Sequence, residues 1–125
     1  MLKDFLLVSC GSFLGGGLRF LVSKWIQTLS VISFPFGTFT VNVLGCFLIG
    51  FLSGLPVSGE VMNPSTKLFL TTGFCGGFTT FSTFMNENSS LLKDENYVYL
   101  ILYIFGSLAL GMAAVLLGNF FGNKL

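Results

Sequence analysis

The stretch Gly73–Phe84, GFCGGFTTFSTF, decides how this chain folds. It lies in the middle of an uncharged segment, residues 68–86, and interrupts the helical pattern with glycine pairs, hydroxyl side chains and regularly spaced phenylalanines. At membrane depth, such an interruption is tolerated only where the main chain is buried in protein or lines a polar cavity. We therefore interpret this twelve-residue interruption as the working site of a membrane protein.

The composition of the whole chain agrees with a lipid environment. The 125 residues are 53% hydrophobic and only 9% charged, and the mean hydropathy is +0.86. Such a chain has too little polar surface to cover a soluble domain of this size. The first apolar segment is longer than a secretory signal and lacks a small-residue cleavage pattern, so we expect it to be retained.

The charged residues divide the chain into four spans, because a membrane-crossing helix needs about 20 mostly apolar residues. The loop between the second and third spans is rich in turn-forming and polar residues, namely Pro56, Gly59, Glu60, Asn63 and Pro64. The predicted spans are residues 5–26, 34–55, 67–92 and 97–121, and the third is the interrupted one. The sequence thus predicts an all-α membrane protein with a single four-helix transmembrane domain over residues 1–125.

The basic residues are balanced across the membrane in this topology. One side would hold Lys3, Lys67 and Lys124, and the other side would hold Arg19, Lys24 and Lys93. An excess of lysine and arginine on one side normally sets orientation, and this chain has none. We infer that the chain inserts in both orientations, so that two copies can meet as an antiparallel, dual-topology dimer. A chance balance among so few charges is the alternative.

Glycines spaced four apart indicate close helix packing, because that spacing lets two backbones approach. The sequence has four such pairs: Gly11 and Gly15, Gly50 and Gly54, Gly73 and Gly77, and Gly118 and Gly122. The spacing does not indicate which helices pack against each other. The three cysteines, Cys10, Cys46 and Cys75, have no metal-ligand or disulfide pattern, and we interpret them as small packing residues.

Polar side chains inside the spans are candidates for function. Arg19 either places positive charge in a water-filled vestibule or extends its side chain to the membrane surface. Thr38 and Asn42 share a helical face, where the Asn42 amide either bonds to another helix or offers two donors to a dehydrated anion. Tyr103 and Ser107 form a similar face in the fourth span, although Ser107 can instead bond to its own helix.

The sequence lacks the groups that most other activities need. All five carboxylates fall at termini, loops or span ends, and there is no histidine, so we find no intramembrane proton relay. There is also no phosphate-binding loop, no metalloprotease motif and no nucleic-acid-binding surface. We therefore predict that the chain is not an enzyme and binds no nucleic acid.

Passive movement of an ion remains, and two phenylalanines suggest that the ion is an anion. Phe81 and Phe84 are three residues apart and therefore share a face of the half-helix after the interruption. An aromatic ring is positive at its edge, so ring edges together with amide and hydroxyl donors can hold a small bare anion. Apolar filling of the membrane helix is the alternative role for these rings.

Three segments of the chain closely resemble the CrcB/Fluc family of bacterial fluoride channels. They are Gly15–Arg19 (GGGLR), Gly37–Gly45 (GTFTVNVLG) and Gly73–Phe84 (GFCGGFTTFSTF), and the likeness extends over essentially the whole chain. The TTFSTF segment with its preceding glycine pair is the most specific of these motifs. The resemblance implies a four-helix subunit, an antiparallel dual-topology dimer and two fluoride pathways per dimer. It also implies passive export of fluoride across the cell membrane of a bacterium.

The resemblance further implies roles for individual residues. Arg19 would lie in the aqueous vestibule, and the main-chain carbonyls of Gly76 and Thr79, from both subunits, would hold a structural sodium ion at the dimer centre. Phe20 stands where the family often carries tyrosine, so a hydroxyl role is not carried over there. The fluoride pathway would be lined by one amide, two phenyl rings and three hydroxyls, those of Asn42, Phe81, Phe84, Ser107, Tyr103 and Thr38.

Three other interpretations of the sequence stay open. A small dual-topology multidrug exporter shares the length and charge balance, but such an exporter needs a carboxylate inside a span. A non-transporting membrane assembly subunit explains the glycines, but not the concentration of polar groups near mid-membrane. A heterodimeric fluoride channel, in which this subunit pairs with a similar paralogous subunit, is compatible with every motif above.

Overall fold

The computed structural model describes residues 1–56 and 62–125, and all of its regular elements are helical. Gly59 and Glu60, which the sequence analysis assigned to a loop, lie outside the described residues. Three helices in the described part are long and apolar enough to cross a membrane. They are α1 (Leu2–Leu29), α2 (Phe36–Gly54) and α6 (Tyr97–Asn123).

These three helices correspond to the first, second and fourth predicted spans, and their ends differ from the predicted ones by at most three residues. Exposed apolar surface is most extensive on α1 and α6. These helices leave many large apolar side chains exposed, such as Phe13, Leu21, Ile101 and Leu116. The structure therefore agrees with the prediction of an all-α membrane protein.

The third predicted span is a chain of short helical segments. Helix α3 (Pro64–Leu68) is capped by Asn63, whose side chain accepts a hydrogen bond of 2.8 Å from the Thr66 N–H. Pro64 is its first residue. A π-helical segment, Phe69–Cys75, follows, and then α4 (Gly76–Phe78). After a break at residues 79–81, α5 (Ser82–Lys93) completes the span.

The prediction of a twelve-residue interruption was therefore too wide. Only residues 79–81 are non-helical between Gly73 and Phe84, and Gly76 has helical angles, with φ of −62° and ψ of −37°. Two of the glycines before the break, Gly73 and Gly77, are helical and pack against α1. The Cβ that a side chain would add at Gly77 would lie 2.6 Å from the Ser12 carbonyl oxygen of α1.

The glycine pairs form two tight helix contacts. The pair in α1 faces the pair around the π-helical segment, and a Cβ at Gly11 would lie 2.8 Å from the Cα of Gly73. The pair in α2 faces the pair in α6, where Gly118 packs against the Phe47 carbonyl. The contact between α2 and α6 is the most extensive in the fold, followed by that between α1 and the π-helical segment. The first helix thus packs on the third span and the second on the fourth.

An aromatic cluster fixes α5 against α6 near one end of the bundle. The ring of Phe84 meets the ring of Tyr103 edge to face, with centroids 4.8 Å apart, and Phe34 from the α1–α2 loop meets Tyr103 in the same way at 5.5 Å. The loop is tied down by the Gln27 amide, which donates to the Phe34 carbonyl (3.1 Å) and accepts from the Gly37 N–H (3.0 Å). Phe84 and Tyr103 are consequently buried and held in place.

Candidate functional site

The break between α4 and α5 is held by the side-chain amide of Asn42 from α2. Its Nδ2 donates to the Thr80 carbonyl (2.9 Å), and its Oδ1 accepts from the Thr80 N–H (2.8 Å). The amide thereby replaces the helical hydrogen bonds that Thr80 has lost. The Thr80 hydroxyl in turn accepts from the Thr83 N–H (3.2 Å) and starts α5. Of the two alternatives for Asn42, the structure contains the hydrogen bond to another span. One hydrogen of Nδ2 remains for a ligand.

Arg19 supports the same segment from α1. Its Nε donates a hydrogen bond of 3.1 Å to the carbonyl of Gly77, one of the carbonyls freed by the break. The guanidinium has further N–H groups, for which the described residues provide no acceptor. Arg19 therefore combines a structural contact with a positive charge, and it also lines an open depression described below.

A cavity of about 320 Å³ opens beside the break. No charged side chain is among its lining residues, and its polar groups are amide, hydroxyl, thiol and main-chain groups. Six of the residues predicted as site residues line it, namely Asn42, Gly76, Thr79, Phe81, Phe84 and Ser107. The fold thus brings together groups that are far apart in the sequence. We call this space the phenyl cavity.

The two phenylalanines of the phenyl cavity have different surroundings. The Phe84 ring is buried, whereas the Phe81 ring is 73% exposed in the single chain. Their centroids are 6.1 Å apart and the ring planes are tilted by 46°. The Phe81 ring therefore has one side free to meet an ion or a second protein chain.

Ser107 is the unpaired polar group of the phenyl cavity. Its hydroxyl oxygen is buried and has no hydrogen-bond partner among the described residues. The alternative that the hydroxyl bonds to its own helix is therefore not what the structure contains. A buried hydroxyl without a partner is costly in an apolar environment, so it is available to a ligand in the cavity.

Glu87 is the functional candidate that sequence analysis missed. It was assigned to a span end, but it lies inside α5 and is partly buried by α2 and α6. Its carboxylate accepts hydrogen bonds from the Thr38 hydroxyl (3.0 Å) and from the Tyr103 hydroxyl (2.7 Å). Its two donors lie on other helices, so no spacing in the sequence indicates this contact. We call these three residues the Glu87 cluster.

The Glu87 cluster borders a second, more polar depression of about 490 Å³. Arg19, Lys24, Thr38 and Thr83 line it together with Glu87. Eight of the nine predicted site residues thus line one of two neighbouring spaces, and the ninth, Tyr103, is fully buried. Asn42 and the phenyl rings surround the phenyl cavity, whereas Arg19 and Thr38 face the polar depression.

Replacing Tyr103 with phenylalanine is expected to destabilise the fold. The change removes a short hydrogen bond to a partly buried carboxylate and leaves that acceptor with one donor fewer, which typically costs about 1–2 kcal/mol. Thermal or denaturant unfolding in detergent measures the effect. Tyr99→Phe is the matched control, because the Tyr99 hydroxyl has no hydrogen-bond partner among the described residues. Equal losses of stability in the two variants would show that the hydrogen bond from Tyr103 to Glu87 does not stabilise the fold.

The residues expected to hold sodium have free carbonyl groups. Within residues 1–56 and 62–125, no donor reaches the main-chain carbonyl of Gly76 or Thr79, and both residues line the phenyl cavity. The same part of the chain contains no group of three or more His, Cys, Asp or Glu side chains suited to a metal. A hard cation at this place would therefore depend on main-chain oxygens, which is compatible with sodium.

Comparison with known proteins identifies the family of this chain. The family described as "CrcB-like protein, Camphor Resistance (CrcB)" matches residues 6–119. A protein of Chlorobium chlorochromatii named "Fluoride-specific ion channel FluC" is 54% identical over 113 residues, 90% of this chain and 87% of the relative. A protein of the same name from Chlorobaculum tepidum is 49% identical over 119 residues, covering 95% and 94% of the two chains.

A more distant relative with that name, from Phocaeicola vulgatus, is 46% identical over 117 residues, 94% of this chain and 96% of the relative. These relatives are named as ion channels rather than enzymes, in line with the prediction that the chain is not an enzyme. The predicted resemblance is thereby confirmed, and the chain belongs to the CrcB family.

Proposed function

We propose that this chain forms a passive, fluoride-selective channel through the cell membrane of a bacterium. The observation that carries the proposal is the phenyl cavity, which joins an amide, an unpaired hydroxyl and two phenyl rings at a break in a membrane helix. The names of the relatives point to the same ion.

The described residues place no charged side chain in the wall of the phenyl cavity, which suits a small anion that must leave again. Fluoride that has lost its water needs hydrogen-bond donors, and the Ser107 hydroxyl and the remaining Asn42 hydrogen can supply two. The edges of the Phe81 and Phe84 rings carry partial positive charge. A conducting site must bind strongly enough for entry and weakly enough for release, and dipoles meet that demand better than a lysine or arginine inside the cavity.

The Glu87 cluster would continue this pathway toward the polar depression. In the present arrangement both hydroxyls are donated to the carboxylate, and fluoride would compete with Glu87 for them. Arg19 and Lys24 line the same depression and would offset the negative charge of Glu87, an offset that the lining of the phenyl cavity does not provide. If the two hydroxyls switch from Glu87 to fluoride and back, the ion can pass the cluster without occupying a stable binding site there. The hydroxyls of Thr38 and Tyr103 retain their proposed place on the pathway.

We propose that the working unit is an antiparallel dimer with dual topology. Two features support it: the balanced basic residues on the two sides, and the exposed Phe81 ring beside an open Gly76, where an added Cβ would meet nothing within 4 Å. Attaching membrane-impermeant thiol reagents to a single engineered cysteine would test the orientation. Labelling from one side only would overturn dual topology.

A structural sodium ion would join the two breaks of this dimer. Gly76 and Thr79 of each chain would hold it with their carbonyl oxygens, and the ion would supply positive charge to oxygens that otherwise have no donor. The sodium site belongs to the dimer proposal, because one chain offers only two of these oxygens.

The driving force for export would be the membrane potential. Hydrogen fluoride crosses membranes as a neutral molecule and dissociates in the cytoplasm. A potential of about 100 mV, negative inside, is worth roughly 2.3 kcal/mol per charge, which corresponds to about a fiftyfold gradient. A passive anion channel thus lowers cytoplasmic fluoride without ATP.

Efflux from liposomes tests the proposed function. The purified chain is reconstituted alone, and release of fluoride and of chloride is followed with ion-selective electrodes under a potassium–valinomycin potential. We expect rapid fluoride release and chloride release at the rate of protein-free liposomes. Equal rates for the two ions would refute fluoride selectivity. Activity of the chain alone would show that a paralogous second subunit is not required.

The same liposomes address the exporter alternative. The partly buried Glu87 is the kind of carboxylate that a proton-coupled drug exporter needs, so this alternative has a specific observation behind it. Drug uptake or release driven by a pH gradient would favour the exporter. Fluoride movement that is independent of a pH gradient would favour the channel.

A further inference from the structure

Two openings of opposite charge lie on either side of Glu87. The first is the polar depression described above, to which Arg19 and Lys24 contribute positive charge. The second is a groove of about 250 Å³ that shares Gln27 and Glu87 with the first but has Asp94 as its other charged residue. We call the first the cationic entrance and the second the acidic groove. Both lead from the same end of the bundle to the Glu87 cluster.

The charge of Lys24 is not neutralised by the described part of the chain. Its ammonium nitrogen lies 5.5 Å from the centre of the Phe20 ring, and no carboxylate of the described residues pairs with it. A cation over an aromatic face is held in position without loss of its charge. Lys24 therefore contributes a full positive charge to the wall of the cationic entrance.

The two other charged groups of the cationic entrance are held in place by hydrogen bonds. Arg19 donates through Nε to the Gly77 carbonyl and is fixed at the inner end. The carboxylate of Glu87 accepts two hydroxyl hydrogen bonds rather than an ion pair with either cation. Glu87 offsets one of the two positive charges, so Lys24 decides whether the entrance carries a net positive charge. A cleft with a net charge concentrates counter-ions and raises their rate of entry.

We propose that fluoride reaches the Glu87 cluster through the cationic entrance, and that Lys24 is the residue that concentrates fluoride there. The acidic groove adds Asp94 to the shared Glu87 and has no cation among the described residues of its lining, so it repels anions and does not conduct. This inference rests on the proposed channel function and assigns the route and one residue that sets its rate.

Single-channel or liposome measurements at two ionic strengths test the role of Lys24. With 10 mM sodium fluoride as the only salt, Lys24→Met is expected to lower the fluoride conductance about two- to fourfold. After addition of 500 mM of a salt with a large impermeant anion, the two proteins are expected to agree within about 1.3-fold, because screening then acts within a few ångströms. Equal conductances at low ionic strength would overturn the proposal.

Lys93→Met is the matched control for Lys24→Met. Lys93 carries the same charge at the same end of the predicted topology, but it lines neither opening. We expect its conductance to stay within about 1.3-fold of that of the unchanged chain at both ionic strengths. An equal loss in both variants would mean that general surface charge, and not the cationic entrance, acts on fluoride.

Asp94→Asn tests the acidic groove. Removing this negative charge would raise fluoride conductance at low ionic strength if fluoride used the groove, whereas we expect no change. The liposome assay of the unchanged chain distinguishes failure of the channel function from failure of the assigned route. If the unchanged chain does not move fluoride, the channel function fails; if it does and Lys24→Met is normal at low ionic strength, only the assigned route fails.

Discussion

Asn42→Asp is expected to reduce fluoride flux to less than about 1% of that of the unchanged chain. The variant places a carboxylate where the amide lines the phenyl cavity. Two like charges about 4 Å apart repel each other by about 4 kcal/mol at an effective dielectric constant near 20, which exceeds a hundredfold in rate. The carboxylate also has no hydrogen to donate to the Thr80 carbonyl.

Liposome efflux measures this loss, and gel filtration shows whether the variant still assembles. Asn86→Asp is the matched control, because Asn86 is exposed on α5 and lines none of the cavities beside the break. We expect normal flux from that control. A well-assembled Asn42→Asp protein that retains more than half of the flux would remove Asn42 from the pathway.

Gly118→Ala is expected to prevent normal packing of α2 against α6. A Cβ at this position would collide with the Phe47 carbonyl and would lie 2.7 Å from the Phe51 nitrogen, so the backbones must separate. Overpacking of a tight contact commonly costs about 1–3 kcal/mol, and main-chain atoms cannot move aside as side chains can. We expect a loss of at least about 3 kcal/mol in the free energy of unfolding, with little monodisperse protein recovered.

Gly17→Ala makes the same chemical change without the collision. No atom lies within 4 Å of the Cβ that it would add, so α1 gains a better helix former at no steric cost in the single chain. Unfolding in detergent and the yield after gel filtration distinguish the two variants. Comparable behaviour of Gly118→Ala and Gly17→Ala would show that the α2–α6 contact tolerates a wider separation.

The spans and the break were predictable because both depend on local sequence. Apolar runs of sufficient length fix α1, α2 and α6, and the hydroxyl-rich residues after Gly77 mark the break. The width of the break was not predictable in the same way. Whether a glycine pair unwinds a helix or packs against another one depends on the neighbour, and here Gly73 and Gly77 face α1.

The candidate site was predictable in its residue types but not in its hydrogen bonds. Asn42 and Ser107 stand out as polar groups in apolar spans, yet their partners belong to other helices. The sequence places Glu87 only seven residues before the loop at Asp94, which resembles an exposed end. Its burial follows from tertiary packing, because α2 and α6 bring the Thr38 and Tyr103 hydroxyls onto it.

The pairing of α2 with α6 also bears on the biogenesis of the protein. The glycine face of α2 leaves the ribosome about 70 residues before the last turn of α6, an interval of several seconds at usual rates of translation. During that interval α2 has no native neighbour of comparable extent. A nascent chain that is truncated before α6 would thus leave the glycine face of α2 without its partner.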